Sequence, residues 1–213
     1  KNSTQYVCQD CGGVSAKWSG RCDNCGAWNT LVEEAGSEQA PKGLGSKKGR
    51  NVEFVSLQGE SKPPPRRVTG IAEFDRVCGG GLVPGSALLV GGDPGIGKST
   101  LLLQAAGALA ANGVRCAYIS GEEGIGQIRL RAARLGLAEA PVQLAAATSV
   151  RDILTGLESA EQADVIVVDS IQTMYLDTLD SAPGTVAQVR GAAQELIRHA
   201  KRSGSVLLLV GHV

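Results

Sequence analysis

Aromatic side chains are nearly missing from this 213-residue chain; Trp, Tyr and Phe make up 3% of it. Its interior must therefore be packed from Ala, Val, Leu and Ile, and a hydrophobic content of 43% is enough for that. Net charge is missing as well. Lys+Arg and Asp+Glu each number 21, which argues against whole-molecule attraction to nucleic acid and leaves only local patches or partner subunits for that role. No run of about 18 apolar residues occurs, so no membrane span is expected. No signal peptide opens the sequence, which begins polar and soon reaches cysteine. A cytoplasmic setting is expected, where six cysteines serve as metal ligands or thiols rather than disulfides. Glycine is the residue in excess, at 29 copies, about twice its usual share, and it falls largely in loops and turns.

The most informative glycines lie in Gly92-Asp93-Pro94-Gly95-Ile96-Gly97-Lys98-Ser99, which fits the phosphate-binding pattern G-x-x-x-x-G-K-[ST]. An apolar segment, Ala87 to Val90, precedes it and reads as a buried strand; Thr100 to Ala106 follows and reads as a helix. Glycines let the backbone curl so that N–H groups point at phosphate oxygens, and the helix N-terminus adds positive potential. Lys98 is expected to reach the β- and γ-phosphates of ATP and to serve catalysis, and Ser99 to hold Mg²⁺ through its hydroxyl. The expected nucleotide-binding set runs from Gly92 through Thr100 and adds Asp169. A plain glycine turn before a core helix is the alternative.

Cys8-x-x-Cys11 and Cys22-x-x-Cys25 form two close pairs, and two such pairs complete a tetrahedral thiolate cage for zinc. A segment this short cannot bury enough apolar surface to fold alone, and metal binding supplies the missing stability. A redox role for the pairs is the rival, but no βαβ pattern surrounds them. Trp18 and Trp28, the only tryptophans, are expected to cover the metal site as a miniature core; a stacking surface for bases or a partner is the sharper alternative.

Residues 33–65 are poor in periodicity and rich in Gly, Ser, Lys and Pro, which reads as a linker between a ribbon at 1–32 and a core at 66–213. Within it Val52-Glu53-Phe54-Val55 alternates as a short edge strand does. Lys42, Lys47, Lys48, Arg50, Lys62, Arg66 and Arg67 outnumber Glu53 and Glu60, an excess suited to phosphate contact or simply to solvation.

Beyond the linker, strands alternate with helices. Strands are expected at Val114 to Ile119, Val142 to Leu144, Val165 to Asp169 and Val206 to Val210. Helices are expected from the phosphate loop to Asn112-Gly113, then at Ile125 to Leu135, to Ser159 and at Val186 to Arg202; Ser149 and Asp152 form a capping pair for the third of them. Apolar strands joined by helices mean an α/β fold with a mostly parallel sheet and ligands at the strands' carboxyl ends. Asp169, at the end of four Val/Ile residues, is the expected acidic partner for magnesium; a helix cap is its plain alternative. Glu122 is the first choice to orient the attacking water, with Glu123 second. Cys78 and Cys116 read as small core residues, His199 as a surface or capping residue, and Arg129, Arg131 and Arg134 as a solvated helix face. His212 lies beyond a strand end near the expected site.

Together these residues resemble the bacterial RadA/Sms DNA-repair family of RecA-like ATPases, from Tyr6 to Val213. The motifs that carry the resemblance are C-Q-D-C-G…W-S-G-R-C-D-N-C-G-A-W-N-T, G-G-G-L-V-P-G-S, G-G-D-P-G-I-G-K-S-T-L-L-L-Q, Y-I-S-G-E-E and V-V-D-S-I-Q-T. The resemblance implies a RecA-like P-loop NTPase core preceded by a Cys₄ zinc ribbon. It implies ATP-driven, helicase-like branch migration on single-stranded and branched DNA in recombinational repair. A homo-hexameric ring with ATP at subunit boundaries and a recombinase as partner are implied too. It places Glu122 as the hydrolytic residue and casts Gln172 as a link between γ-phosphate and DNA loops, a polar cap being the alternative. Residues 175–186 look like the first DNA-facing loop, although they are not basic. Gly124 departs from the family's usual Ser. The family's later core strands, its Lys-Asn-Arg-Phe-Gly motif and its protease-like C-terminal domain are not in this sequence, so turnover is expected of a longer parent more than of this chain alone. A nucleotide-switched DNA- or protein-binding module, with incidental ATP turnover, is the alternative function.

Overall fold

The computed structural model describes residues 4–8, 14–35, 54, 56–58, 64–159 and 161–212. The chain divides into two compact units, Lys1–Pro64 and Pro65–Val213. The first holds a three-stranded antiparallel sheet of order β2-β1-β3, from β1 (Thr4–Cys8), β2 (Val14–Ser15) and β3 (Leu31–Ala35). Val7 pairs with Val14, and Cys8 with Leu31. Its apolar centre is Cys8, Cys22 and Leu31, with Tyr6 packed against them. So small a cluster cannot offset the entropy of ordering the chain, which is why the unit needs the metal site described below.

The second unit is a five-stranded parallel sheet of order β4-β8-β7-β5-β6. Its strands are β4 (Ala87–Gly91), β5 (Cys116–Ser120), β6 (Gln143–Ala146), β7 (Val165–Asp169) and β8 (Val206–Gly211). Helices α1 (Ala72–Val77), α2 (Lys98–Ala111), α3 (Ile125–Arg134), α4 (Val150–Ser159) and α5 (Val186–Ser203) connect or flank them, and a short 3₁₀ turn spans Ile171–Thr173. Every residue of β5, β7 and β8 is buried. The pleat sends alternate residues to opposite faces. Val165, Val167, Tyr118, Val206 and Leu208 join one cluster with Leu102, Leu109 and Ile128 of α2 and α3. Ile166, Val168, Ile119, Leu207 and Leu209 join the other, with Ile153 of α4 and Leu196 of α5. Gly107 of α2 is required by close packing, since a Cβ there would lie 2.9 Å from Leu137 Cδ2.

The mostly parallel sheet expected from the apolar strands is present. Its second strand begins at Cys116 rather than Val114: the Arg115 backbone N–H donates to the Asp164 carboxylate at 3.1 Å instead of to a neighbouring strand. Helix α1 has no apolar period to announce it. It is fixed by Asp75, whose carboxylate accepts from the backbone N–H groups of Thr69 and Gly70 and from the Thr69 hydroxyl, each at 2.9 Å. Arg66 and Arg67, counted with the basic stretch suited to phosphate contact or solvation, are used inside the fold instead. Arg66 Nη1 donates to the carbonyls of Cys78 and Gly81 at 3.0 and 3.1 Å, and Arg67 pairs with Asp164 at 2.9 Å. Lys42, Lys47, Lys48, Arg50 and Lys62 lie outside the described residues. So do Val52, Glu53 and Val55 of the expected edge strand, and Phe54 stands outside any strand.

The segment after the 3₁₀ turn is held by one buried amide. Gln188 accepts from Leu176 N–H at 2.8 Å and donates to the carbonyls of Leu176, Leu179 and Ser181 at 3.2, 3.2 and 2.8 Å. Leu176 and Leu179 close over Gly191, where a Cβ would meet their methyls at 2.8 and 3.0 Å. Gln188→Ala should therefore leave several backbone groups unpaired and cost about 1–3 kcal/mol. Urea unfolding should show that loss, and hydrogen exchange should speed up at residues 176–181 before it does elsewhere.

Candidate nucleotide site and metal centre

Strand β4 ends at Gly91 and the chain turns through the glycine loop into α2. Gly95 (φ 80°) and Gly97 (φ 99°) both take left-handed backbone, and Gly97 is the N-cap of α2. The first turn of α2 carries no acidic residue, so its N–H groups and dipole stay available to an anion. Lys98 is only 7% exposed, and its ammonium donates to the carbonyls of Gly92 and Asp93, both at 2.7 Å. The cation thus sits over the loop it would share with phosphates.

Asp169 closes β7 and is buried. Its Oδ2 accepts a hydrogen bond from the Tyr118 hydroxyl, which also lies 3.5 Å from the Ser99 carbonyl. Burial first, then the Asp169 charge and its hydrogen bond, push the Tyr118 ionisation upward, so the phenol stays a donor. The register pairs Ser120 with Asp169 and Gly91 with Gly211, so β4, β5, β7 and β8 all end at one edge of the sheet.

Ser120 shapes the turn after β5: its hydroxyl accepts from Glu122 N–H at 3.3 Å and Glu123 N–H at 2.9 Å. The two glutamates then part. Glu123 turns to Arg131 of α3, at 2.9 Å. Glu122 Oε1 accepts from the Ser170 hydroxyl and lies 3.4 Å from His212 Nε2. The Ser170 hydrogen bond holds Glu122 below the ordinary glutamate range against the opposing effect of burial, and His212 and Lys98 add to it. Gln172 Nε2 donates to the His212 carbonyl at 3.2 Å, so Gln172, His212 and Glu122 form one chain of contacts.

An anion cradle, a lysine, a buried carboxylate and an ionised glutamate thus share one strand edge. This donor set fits a magnesium nucleotide: main-chain N–H groups and Lys98 for phosphate, the Ser99 hydroxyl and Asp169 for the metal, Glu122 for a water.

In the ribbon, the sulfurs of Cys8, Cys22 and Cys25 all lie within 4.8 Å of one another, and Cys8 Sγ is 3.7 Å from Cys25 Sγ. A tetrahedral thiolate set with metal–sulfur bonds of about 2.3 Å has sulfur–sulfur edges of about 3.8 Å, so the spacing suits a metal. A disulfide, at about 2.05 Å, does not fit it. Cys11 lies outside the described residues. Gly26 (φ 77°) donates to the Cys22 carbonyl at 2.8 Å and makes the second knuckle. Trp18 and Trp28 do not form the expected miniature core; they are 59% and 70% exposed. The Arg21 guanidinium lies 5.8 Å from the centre of the Trp28 ring, held by its Nε donating to the Gly26 carbonyl at 3.0 Å.

Other expectations need correction. His199 is buried, not a surface group; it lies on the side of α5 that faces α4, near Glu158. Arg131 is no part of a solvated face: its side chain is 16% exposed and paired with Glu123. Cys116 is buried as expected, and Cys78 packs half-buried against the same cluster. Sequence reasoning missed Tyr118. Its signal was a hydroxyl-bearing ring inside an otherwise apolar buried strand, where such a group needs a partner.

Residues 6–33 match the rubredoxin metal binding domain family, and residues 66–213 match the AAA domain family. The chain is 54% identical over its whole length to the DNA repair protein RadA of Brucella abortus and covers 47% of that protein. It is 48% identical to RadA of Pseudomonas aeruginosa and 43% to RadA of Bacillus subtilis, each matched across 100% of this chain and 47% of the relative. It therefore spans about half the length of the curated relatives it matches. Among solved structures, a DnaB-like replicative helicase aligns with a TM-score of 0.59 at 14% identity, covering 72% of this chain and 46% of its own. A separately solved ATPase domain aligns with the same score and identity over 70% of this chain and 64% of its own. These two likenesses concern the fold. Among the described residues, no helix is long and apolar enough to cross a membrane.

Metal removal provides a direct check of the ribbon. Both tryptophans of the chain lie there, so chelation should change tryptophan emission while the far-ultraviolet circular dichroism of the helical core stays unaltered. Emission insensitive to a strong chelator would rule the metal site out.

Proposed function

This chain belongs to the AAA domain family and is a RadA/Sms-type protein by its ribbon and core together, and on that premise we propose that it is a DNA-dependent ATPase of recombinational repair, acting on single-stranded and branched DNA. The observation that carries the reading is the gathering of the glycine loop with Lys98, buried Asp169 and ionised Glu122 at one edge of the sheet. Magnesium, held through Ser99 and Asp169, would neutralise charge on the β- and γ-phosphates of bound ATP. The loop N–H groups and the start of α2 cradle the phosphates, and Lys98 exchanges its two carbonyl partners for phosphate oxygens. Glu122 orients the attacking water and accepts its proton at the carboxylate, with Ser170 fixing the rotamer. Glu123, spent on Arg131, is left out of this role. Cys8, Cys11, Cys22 and Cys25 are the proposed zinc ligands, the first, third and fourth supported by the sulfur cluster.

The motor reading extends to helicase-like branch migration, a homo-hexameric ring, a recombinase partner and a cytoplasmic setting, all supported by the similarity to RadA proteins. Gln172, whose amide donates to the His212 carbonyl beside Glu122, precedes the 175–186 segment by three residues, a suitable route from nucleotide to DNA. A nucleotide-switched binding module differs in one respect: its ATP turnover would not answer to DNA.

Hydrolysis in the full-length protein should rise when single-stranded DNA is added; a rate indifferent to DNA would favour the switch. Lys98→Ala should abolish binding of a fluorescent ATP analogue. Glu122→Gln should keep that binding and lose about 10²–10⁴-fold in kcat. Because Glu122 is shifted downward, its carboxylate persists as pH falls toward the ordinary glutamate value of about 4.3. The wild-type pH–rate profile should therefore show no acidic limb from Glu122 above that value.

A further inference from the structure

We propose that Tyr118 is a positioning residue for the metal site: its hydroxyl fixes the Asp169 carboxylate so that the other oxygen faces the magnesium held at Ser99. The inference rests on the magnesium-nucleotide reading of the same site and names a residue that the phosphate-loop pattern does not contain.

Three observations carry it. Tyr118 is fully buried in the middle of β5, in register with Val167 of β7 and Leu144 of β6. Asp169 is two residues beyond Val167 on β7, so the pleat puts it on the same face of the sheet as the Tyr118 ring. The hydroxyl then reaches Asp169 Oδ2, and among the described residues it is the side chain that donates to that carboxylate. The same hydroxyl lies 3.5 Å from the Ser99 carbonyl, at the start of α2. One phenol thus sits between the two elements that would hold the ion. A phenol has a single proton to give, and here it goes to the carboxylate. Phe would fill the same space, but it would leave a buried carboxylate oxygen with no donor and free the group to rotate.

The test is a magnesium titration of nucleotide binding, read with a fluorescent ATP analogue. In Tyr118→Phe the affinity measured without metal should stay within about twofold of wild type, and the magnesium concentration for half-saturation should rise about tenfold. In an Asp169→Asn background the same change should add no further shift, because the tyrosine acts through that carboxylate. A purely structural role would weaken binding with and without metal alike. A wild-type magnesium response in Tyr118→Phe, or a full additional shift in the Asp169→Asn background, would overturn the proposal. A measurement that does not depend on the variant's folding uses the wild-type chain, which has three tyrosines. Magnesium added to the nucleotide-bound protein should perturb the tyrosine near-ultraviolet difference spectrum, and Asp169→Asn should remove that signal; its absence in the wild type would also overturn the proposal. A wild type that binds no nucleotide would reject the magnesium-nucleotide reading itself, whereas normal binding with an unaltered Tyr118→Phe response would reject only the role of Tyr118.

Discussion

Register between β5 and β7 is the constraint on which the site depends. Ser120 pairs with Asp169, and Tyr118 with Val167. A slip of one residue would send Tyr118 to the opposite face from Asp169 and exchange the side chains of the two apolar layers, which are packed differently. The same pairing puts the Glu122 turn beside Ser170, where the hydrogen bond forms that keeps Glu122 ionised. Hydrophobic burial on both faces of the sheet thus fixes polar geometry at its edge. The energy lies in Val, Ile and Leu; the chemistry lies a few residues beyond them.

Within the site, the three charged groups that matter already have partners inside the chain. Lys98 uses loop carbonyls, Asp169 uses Tyr118, and Glu122 uses Ser170. Buried charges without partners would be costly, so the arrangement keeps the site organised before any ligand arrives. It also sets what a ligand must replace. On the proposed reading, phosphate oxygens would take over the lysine from two carbonyls, whereas the Tyr118–Asp169 bond could remain as it is.

The ribbon solves a different problem. Among the described residues its apolar centre is Cys8, Cys22 and Leu31, and the two cysteines also belong to the sulfur cluster, so core and metal site share atoms. Both tryptophans stay outside that centre and are exposed. Trp28 stands 70% exposed with the Arg21 guanidinium 5.8 Å from its ring centre.

Much of this was legible in the sequence. The phosphate loop is contiguous, and its glycines answer to local backbone geometry. The strands β7 and β8 are runs of Val, Ile and Leu long enough to declare themselves. The cysteine pairs show their chemistry by spacing alone. Other features depend on side-chain pairings that no sequence period announces. Helix α1 hangs on the Thr69–Asp75 hydrogen bonds rather than on an apolar period. The two adjacent glutamates part because Glu123 pairs with Arg131, eight positions on in α3, and Glu122 accepts from Ser170 on another segment. Tyr118 found its role only when β7 was laid beside β5. Local pattern determined the strands, the loop and the chemical types of the ligands, because those follow from neighbours in sequence. Tertiary structure decided which side chains share an atom's reach, because hydrogen bonds between strands join groups that the sequence keeps some fifty residues apart.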